Sequence, residues 1–345
     1  DTFDAVCICN GHYAVPSSPP IEGLQYFKGR VMHSIEYDDP SIFKDQTVLC
    51  IGGRASGSDL AREISIHAKK VFLSDTSFPT AQDGEEGSDG KRNCLSMGNI
   101  DWVPKTLSFN EKDSSIHFDQ LCSNRPNDID VIIFCSGYDY QFPFINEKSN
   151  LELKVVPGER RVSPLYEQLW HAQYPNIAFI GLQHSVVPFP FFEFQAEAIA
   201  HQLLKRMGKS DSHMDSCCAN EYQVPLSLEE RMDAAEHDAN SGGPKGARVQ
   251  DTHFLGSWQW DACKVYAKYG GILSESVEKY INTNKLIYDD SNNSRKGSFP
   301  GGPDDYRYSS YVRDDENESF SRYPVTMANA DVAQSRNEKT LLSEI

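Results

Sequence analysis

Apolar residues in this chain fall in short unbroken runs between glycine-rich turns, and one longer stretch carries them at helical spacing. Val48 to Ile51 is such a run and Val71 to Leu73 another, while between them Leu60, Ala61, Ile64 and Ala68 recur near the helical period. The pattern predicts a strand over Thr47 to Ile51, a helix after it, and a second strand over Val71 to Leu73. Two more runs, Ala5 to Cys9 and Val131 to Phe134, lie in sequences that echo each other: Asp4-Ala-Val-Cys-Ile-Cys-Asn-Gly-His-Tyr and Asp130-Val-Ile-Ile-Phe-Cys-Ser-Gly-Tyr. Each reads as a buried strand ending in a tight turn, with chance likeness between buried strands as the alternative. Ile177 to Leu182 adds a strand candidate and Glu193 to Met207 a helix. Strands that are apolar throughout belong to sheets covered on both faces, so the expected class is α/β.

Between the first strand and its helix stands Gly52-Gly53-Arg54-Ala55-Ser56-Gly57. A strand, a glycine turn and a helix in this order begin a dinucleotide-binding βαβ unit. Gly52 and Gly57 permit a tight reversal and close packing of helix on strand, and the first helical amides point at a pyrophosphate. A GxGxxG reading from Gly52 puts Arg54 where the second glycine belongs, where it either obstructs the cofactor or donates to a phosphate. An ordinary β-to-α turn without ligand is the blander alternative. Asp75 follows the second strand, where an acid ordinarily accepts a ribose 2′-hydroxyl; Ser74, Thr76 and Arg54 are the candidates to receive a 2′-phosphate instead. Asn10-Gly11 and Ser136-Gly137 close two strands where backbone amides can approach a cofactor.

A length of 345 residues and 39% hydrophobic content suit about two domains with a sizeable core. The net charge of −17 argues against a general nucleic-acid or anionic-membrane surface. Nine scattered cysteines, two of them adjacent at Cys217 and Cys218, suggest no disulfide framework and point to a reducing, cytoplasmic setting. No apolar run approaches the roughly 18 residues of a membrane-spanning helix, and no HExxH or CxxC spacing or Ser/His/Asp triad pattern occurs, so no metal is expected. Gln82 to Cys94 reads as a surface loop, 208–221 and 236–252 as polar connectors, and 289–345 as a disordered tail. The chain opens at Asp1, almost inside a strand, and reads as a fragment.

Phe27-Lys-Gly29-Arg-Val-Met-His33-Ser-Ile-Glu-Tyr37 resembles the FxGxxxHxxxY/F signature of flavin-containing monooxygenases. Phe134-Cys-Ser-Gly-Tyr138 is similar to that family's F-A-T-G-Y segment, and Ile180 to Ala196 to its IGL…PFPxxExQA stretch. With the glycine turn, these matches cover about residues 3 to 205. The resemblance implies two Rossmann-like dinucleotide-binding domains, an NADPH domain at 44–134 inserted into an incomplete FAD domain. Residues 1–43 would be the FAD-domain remnant and crossover, and 135–288 the return to that domain with a helical region. The family's own FAD fingerprint would precede Asp1, in a half-domain on the order of 100 residues. Tyr37 tips the resemblance towards the amine- and sulfide-oxidising branch, since the Baeyer-Villiger relatives end the signature in Trp; that branch stays open.

In such enzymes, with cofactors FAD and NADPH, the nicotinamide reduces FAD, and a C4a-hydroperoxyflavin gives one oxygen of O2 to a soft N or S atom of a small molecule. Catalytic residues are not identified from the sequence. The resemblance puts Gln195 near the flavin, with a surface amide as the alternative; His33 is read as shaping the crossing between domains through backbone hydrogen bonds. Phe189, Phe191, Phe192 and Phe194 either wall a substrate pocket or belong to the core, as do Trp258, Trp260, Tyr266 and Tyr269. An inactive or regulatory nucleotide-binding remnant is the competing function. A homo-oligomer is compatible with either.

Overall fold

Alternate residues of the strand Thr47–Ile51 enter two different cores, which is why its sequence is apolar at nearly every position. Val48 and Cys50 face one side with Ile64, Val71, Leu73, Val131 and Ile133; Leu49 and Ile51 face the other with Phe72, Val103, Phe109, Ile132 and Phe134. The computed structural model that shows this describes residues 2–76, 95–113, 115–120, 126, 128–145, 149, 151–155, 160–208, 222–225, 227–240, 252–297 and 309–324.

Two compact units make up the chain. Pro16–Tyr138 form the body of one, the inserted unit; Asp1–Val15 and Asp139–Arg295 form the body of the other, the flanking unit. The inserted unit carries a six-stranded sheet ordered Arg30–His33, Val131–Phe134, Thr47–Ile51, Lys70–Ser74, Ile100–Val103, Leu95–Met97. All neighbours are parallel except the last pair. Helix α1 (Ala55–Ser65) packs Ala61 and Ile64, both fully buried, on the first face.

The expected start of this domain at residue 44 is corrected. Arg30–His33 pairs in register with Val131–Phe134, and Ile21, Leu24 and Phe27 pack on the second face, so the segment read as a crossover belongs to the inserted unit. An edge strand with two exposed positions leaves too little apolar signal to be seen in advance.

In the flanking unit, Val6–Ile8 runs parallel to Ile177–Phe179, which pairs antiparallel with Trp170–His171, and that strand in turn pairs antiparallel with Leu165–Tyr166. Among the described residues it also carries the α-helices α2 (Pro188–Arg206), α3 (Leu228–Asn240), α4 (Gln259–Tyr269) and α5 (Glu275–Gly297). Helix α2 starts earlier than its apolar spacing suggested because Pro188 and Pro190 fit a first turn, where their missing N–H groups cost nothing. Phe191, Phe194, Trp260, Tyr266 and Tyr269 join one core with Trp170, whereas Phe189 is 82% exposed.

Two expectations fail here. Helix α3 runs through 236–240, read as connector, and the tail is regular over 289–297 and 309–324. Helix α5 extends to Gly297, and Ser309–Asp314 pairs antiparallel with Ser319–Pro324. Tyr311 Oη donates to Asp290 Oδ2 at 2.7 Å, and the Arg313 guanidinium lies 4.5 Å from the centre of the Tyr280 ring, so α5 and the hairpin hold each other. The loop expected at Gln82 to Cys94 and the pair Cys217–Cys218 lie outside the described residues.

Candidate functional site

The strand Thr47–Ile51 ends between Lys70–Ser74 and Val131–Phe134, and the chain turns from it into α1 and on to the first of these neighbours. The strand order reverses here, since the chain goes on to Lys70–Ser74 and Ile100–Val103 on one side and only later returns to Val131–Phe134 on the other, and open α/β sheets bind ligands at the carboxyl ends of the strands at such a point. Gly52 adopts φ 111°, and a Cβ there would stand 2.6 Å from the carbonyl oxygen of Cys135. A Cβ on Gly57 would lie 1.7 Å from the Gly52 oxygen. Both residues are glycine because backbone occupies the space.

Arg54 caps α1 in extended backbone, with no side-chain capping bond and no acid in the helix's first turn. Ser58 Oγ instead shares its hydrogen between the oxygens of Gly53 and Arg54, at 2.9 and 3.0 Å. The amides of the first turn, over Ala55, Ser56 and Gly57, have no intrahelical acceptor and carry the positive end of the helix dipole. Ala55, Ser56 and Arg54 are exposed. This is an anion cradle.

Asp75 stands on one side of the turn, so close that a Cβ on Gly53 would lie 2.7 Å from its Cβ, Cγ and Oδ2. Ser74 does not serve as expected. Its hydroxyl lies 2.9 Å from Pro104 O and 2.9 Å from Thr106 Oγ1, accepts the Thr106 amide at 2.9 Å, and is buried. A group so occupied has nothing left for a phosphate. Ser136 Oγ donates to Ser17 O, and the Gly137 oxygen accepts from the Ser17 amide at 3.0 Å, so that turn is tied into its own unit.

The signature residues brace the inserted unit. A Cβ on Gly29 would stand 2.3 Å from Asp130 O, and the Phe27 ring packs 5.8 Å from that of Phe109. Tyr37 Oη donates to Glu63 Oε2 on α1 at 2.8 Å and stacks on Phe43. Burial and this carboxylate push the Tyr37 phenol well above its ordinary range. His33 Nδ1 accepts the Ile35 amide at 3.2 Å, so Nε2 carries the hydrogen that Gly137 O receives at 2.9 Å. Burial lowers its pKa, and the ring is held neutral.

A second cluster lies at the carboxyl ends of Val6–Ile8 and Ile177–Phe179. Asn10 Nδ2 donates to Gln141 O at 3.0 Å, and Gly11 turns at φ 70° with open space beside it. Gln195 is fully buried, which removes the surface alternative. Its Oε1 accepts the Gly181 amide at 3.1 Å and its Nε2 donates to Gln183 Oε1 at 2.9 Å. Gln183 Nε2 donates in turn to Gln168 O at 3.0 Å, and Gln168 Oε1 accepts from His253 Nδ1 at 3.0 Å. His253 Nε2 receives the Val162 amide at 3.0 Å, and burial pulls its pKa down to about 3.

Sequence reading missed the residue beside this chain. His12 Nδ1 lies 2.7 Å from Gly181 O, and a carbonyl only accepts, so Nδ1 carries the hydrogen and Nε2 is a bare acceptor. His12 is 6% exposed and its Nε2 has no partner. Tyr140, whose hydroxyl donates to Leu182 O and lies 2.9 Å from His184 Nε2, packs beside it. The Gly-His pair at 11–12 and the Gln-His pair at 183–184 were visible in the sequence; nothing there marked His253. Among the described residues no group of three or more His, Cys, Asp or Glu could hold a metal ion, and no helix is long and apolar enough to cross a membrane.

A parallel sheet with a glycine cradle at its switch point defines an α/β protein of the Rossmann type. Residues 1–80 and 88–224 match the flavin-binding monooxygenase-like family, and the chain belongs to it. It is 36% identical over 208 residues to the flavin-containing monooxygenase FMO GS-OX-like 2 of Arabidopsis thaliana, a match covering 60% of this chain and 41% of that protein. FMO GS-OX-like 4 of the same plant is 34% identical over 219 residues, 62% of this chain and 45% of that one. The chain thus spans less than half the length of these relatives. Among solved structures, the S-allyl-L-cysteine S-oxygenase of Allium sativum superposes with a TM-score of 0.67 at 27% identity, over 97% of this chain and 64% of that one. Tmm of Pelagibacter sp. strain HTCC7211 shares the fold, with a TM-score of 0.64 at 20% identity, over 95% and 63%.

Proposed function

We propose that this chain forms part of an FAD- and nicotinamide-dependent monooxygenase that oxygenates a soft nucleophilic atom, sulfur before nitrogen, of a small molecule. The observation that carries the reading is the cradle of Gly52, Gly53 and Gly57 at the switch point of a chain belonging to this family. The likeness to an S-oxygenase supports sulfur.

The residues present fit both cofactors. In the inserted unit, Gly53 makes room for the Asp75 carboxylate, and the first amides of α1 beside it suit a pyrophosphate. In the flanking unit, the orphaned Nε2 of His12 suits a hydrogen-bond donor such as a flavin ring or ribityl hydroxyl, and Gln195 bonds the amide of the same residue, Gly181, whose oxygen His12 bonds. Bound, the flavin supplies the redox and dioxygen chemistry that no side chain can.

The chain's own residues bind, orient and keep dry. Ala55, Ser56 and Gly57 offer amides to the dinucleotide phosphates, with Arg54 as a charged donor beside them. The Gly181 amide and Gln183, itself held by the Gln168 carbonyl oxygen, lock Gln195 in one orientation. Tyr140, Leu182 and Phe179 around His12 and Gly181 make a water-poor surrounding.

Protein expressed from the complete coding sequence tests this reading. It should purify with bound flavin, oxidise a reduced nicotinamide in step with oxygen uptake, and convert an alkyl thioether to its sulfoxide faster than a tertiary amine to its N-oxide. Purified protein that holds no flavin would favour the inactive, regulatory remnant instead.

A further inference from the structure

The nicotinamide site proposed for the inserted unit leaves open which dinucleotide it takes, and the residues around Gly53 bear on this directly. In a βαβ unit of this type the residue just after the second strand faces the adenosine ribose, and a carboxylate there accepts the 2′-hydroxyl. Asp75 follows Lys70–Ser74 immediately, and the register Ile51↔Ser74 brings it level with the turn. Its Oδ1 accepts the Thr76 amide at 2.8 Å. That bond aims the carboxylate, and Oδ2 lies against Gly53, 2.7 Å from where a Cβ would be.

Among the described residues, the groups that would receive a 2′-phosphate are engaged or equivocal. Ser74 is buried, with its hydroxyl bonded to Pro104 and Thr106. The Thr76 amide already serves Asp75. Arg54 is exposed at the cap of α1, next to the pyrophosphate amides, where its charge serves either dinucleotide alike. A 2′-phosphate adds close to two negative charges and no hydrogen to donate, whereas a 2′-hydroxyl donates to a carboxylate.

We propose that the inserted unit selects the dinucleotide with a free ribose 2′-hydroxyl, NAD(H), over the 2′-phosphorylated form, and that Asp75 is the selecting residue. This rests on the reading of the unit as a nicotinamide site, and it replaces the NADPH expected from sequence. The carboxylate rejects the phosphate by charge and rewards the hydroxyl with a hydrogen bond. Arg54 holds the pyrophosphate in both cases.

Calorimetric titration of the flavin-loaded full protein with NAD+ and with NADP+ tests it without turnover. NAD+ should bind at least tenfold more tightly, and the KM for NADH should fall below that for NADPH by a similar factor. Asp75→Ala should bring the two dissociation constants within about threefold. Asp75→Asn, which keeps an oxygen for the Thr76 amide and loses only the charge, should weaken NAD+ less while admitting NADP+. NADP+ binding as tightly as NAD+ to the unaltered protein, or an unchanged preference in both variants, would overturn the assignment. Binding of neither dinucleotide would overturn the nicotinamide site itself.

Discussion

His33 Nε2 donates to the carbonyl oxygen of Gly137 across 2.9 Å, joining the end of an edge strand to the turn that follows Val131–Phe134. Its other nitrogen is held by the Ile35 amide, so the ring works only as the neutral tautomer. His33→Ala leaves the Ile35 amide unpaired and takes one of two donors from the Gly137 oxygen, and should cost about 1–3 kcal/mol, read from urea unfolding at pH 8. Burial depresses the folded pKa below the ordinary 6.5. The unfolded chain then binds more protons between the two values, so the contribution is complete above about pH 6.5 and is lost as pH falls. The gap between wild type and variant should therefore shrink from pH 8 to pH 5.

His253 has the same sign over a wider window, from about 6.5 down to about 3. His253→Leu removes the titration along with two buried hydrogen bonds. It should lower stability near neutrality by about 2–5 kcal/mol and flatten the acid limb of a stability-against-pH curve. An acid limb unchanged in this variant would show that other groups govern it.

Gly57→Ala and Gly11→Ala separate two reasons for glycine. The first drives a methyl to within 1.7 Å of the Gly52 oxygen and must displace backbone, costing more than the about 1–3 kcal/mol of ordinary overpacking. The second meets open space and suffers only the left-handed φ of 70°, about 1–2 kcal/mol. Thermal unfolding should rank them in that order, with dinucleotide binding abolished in the first.

Much of the inserted unit was legible because its physics is local. Four apolar residues, a glycine turn and a helical stripe are adjacent in sequence, and each element forms where its periodicity puts it. What escaped depends on distant partners. Arg30–His33 becomes a strand only because Val131–Phe134 lies beside it. Ser74 reads as an available hydroxyl until Pro104 and Thr106 fold over it. Gln195 stood equally for a cofactor contact or a surface amide, and only the packing of α2 buries it. The Gly-Ser-Asn-rich end resembles disordered chain because its order comes from Asp290 meeting Tyr311 and Arg322, not from a repeating pattern.

Asp290→Ala tests that last contact. Its carboxylate receives both Tyr311 Oη and Arg322 Nη1, the latter at 3.3 Å with both side chains about a third exposed, so its thermodynamic cost should stay below about 2 kcal/mol. Trypsin cleavage after Arg313 or Arg322 should nevertheless accelerate severalfold, because the hairpin opens without unfolding the unit. Equal cleavage rates in both proteins would show that the hairpin does not depend on this anchor.

Two buried relays, one from the Gly181 amide through Gln195 and Gln183 and one from the Val162 amide through His253, converge on Gln168, each with its direction fixed by a backbone N–H that cannot reverse. Gln195, Gln183 and His253 must each give with one hand and take with the other, while Gln168 takes with both its main-chain oxygen and Oε1. Gln183→Glu alone would set two acceptors face to face, and no rotation of one amide would repair it. Inheritance therefore has few single steps through these positions, and homologous chains that differ at residue 195 should tend to differ at 183 as well, and those that differ at 253 to differ at 168.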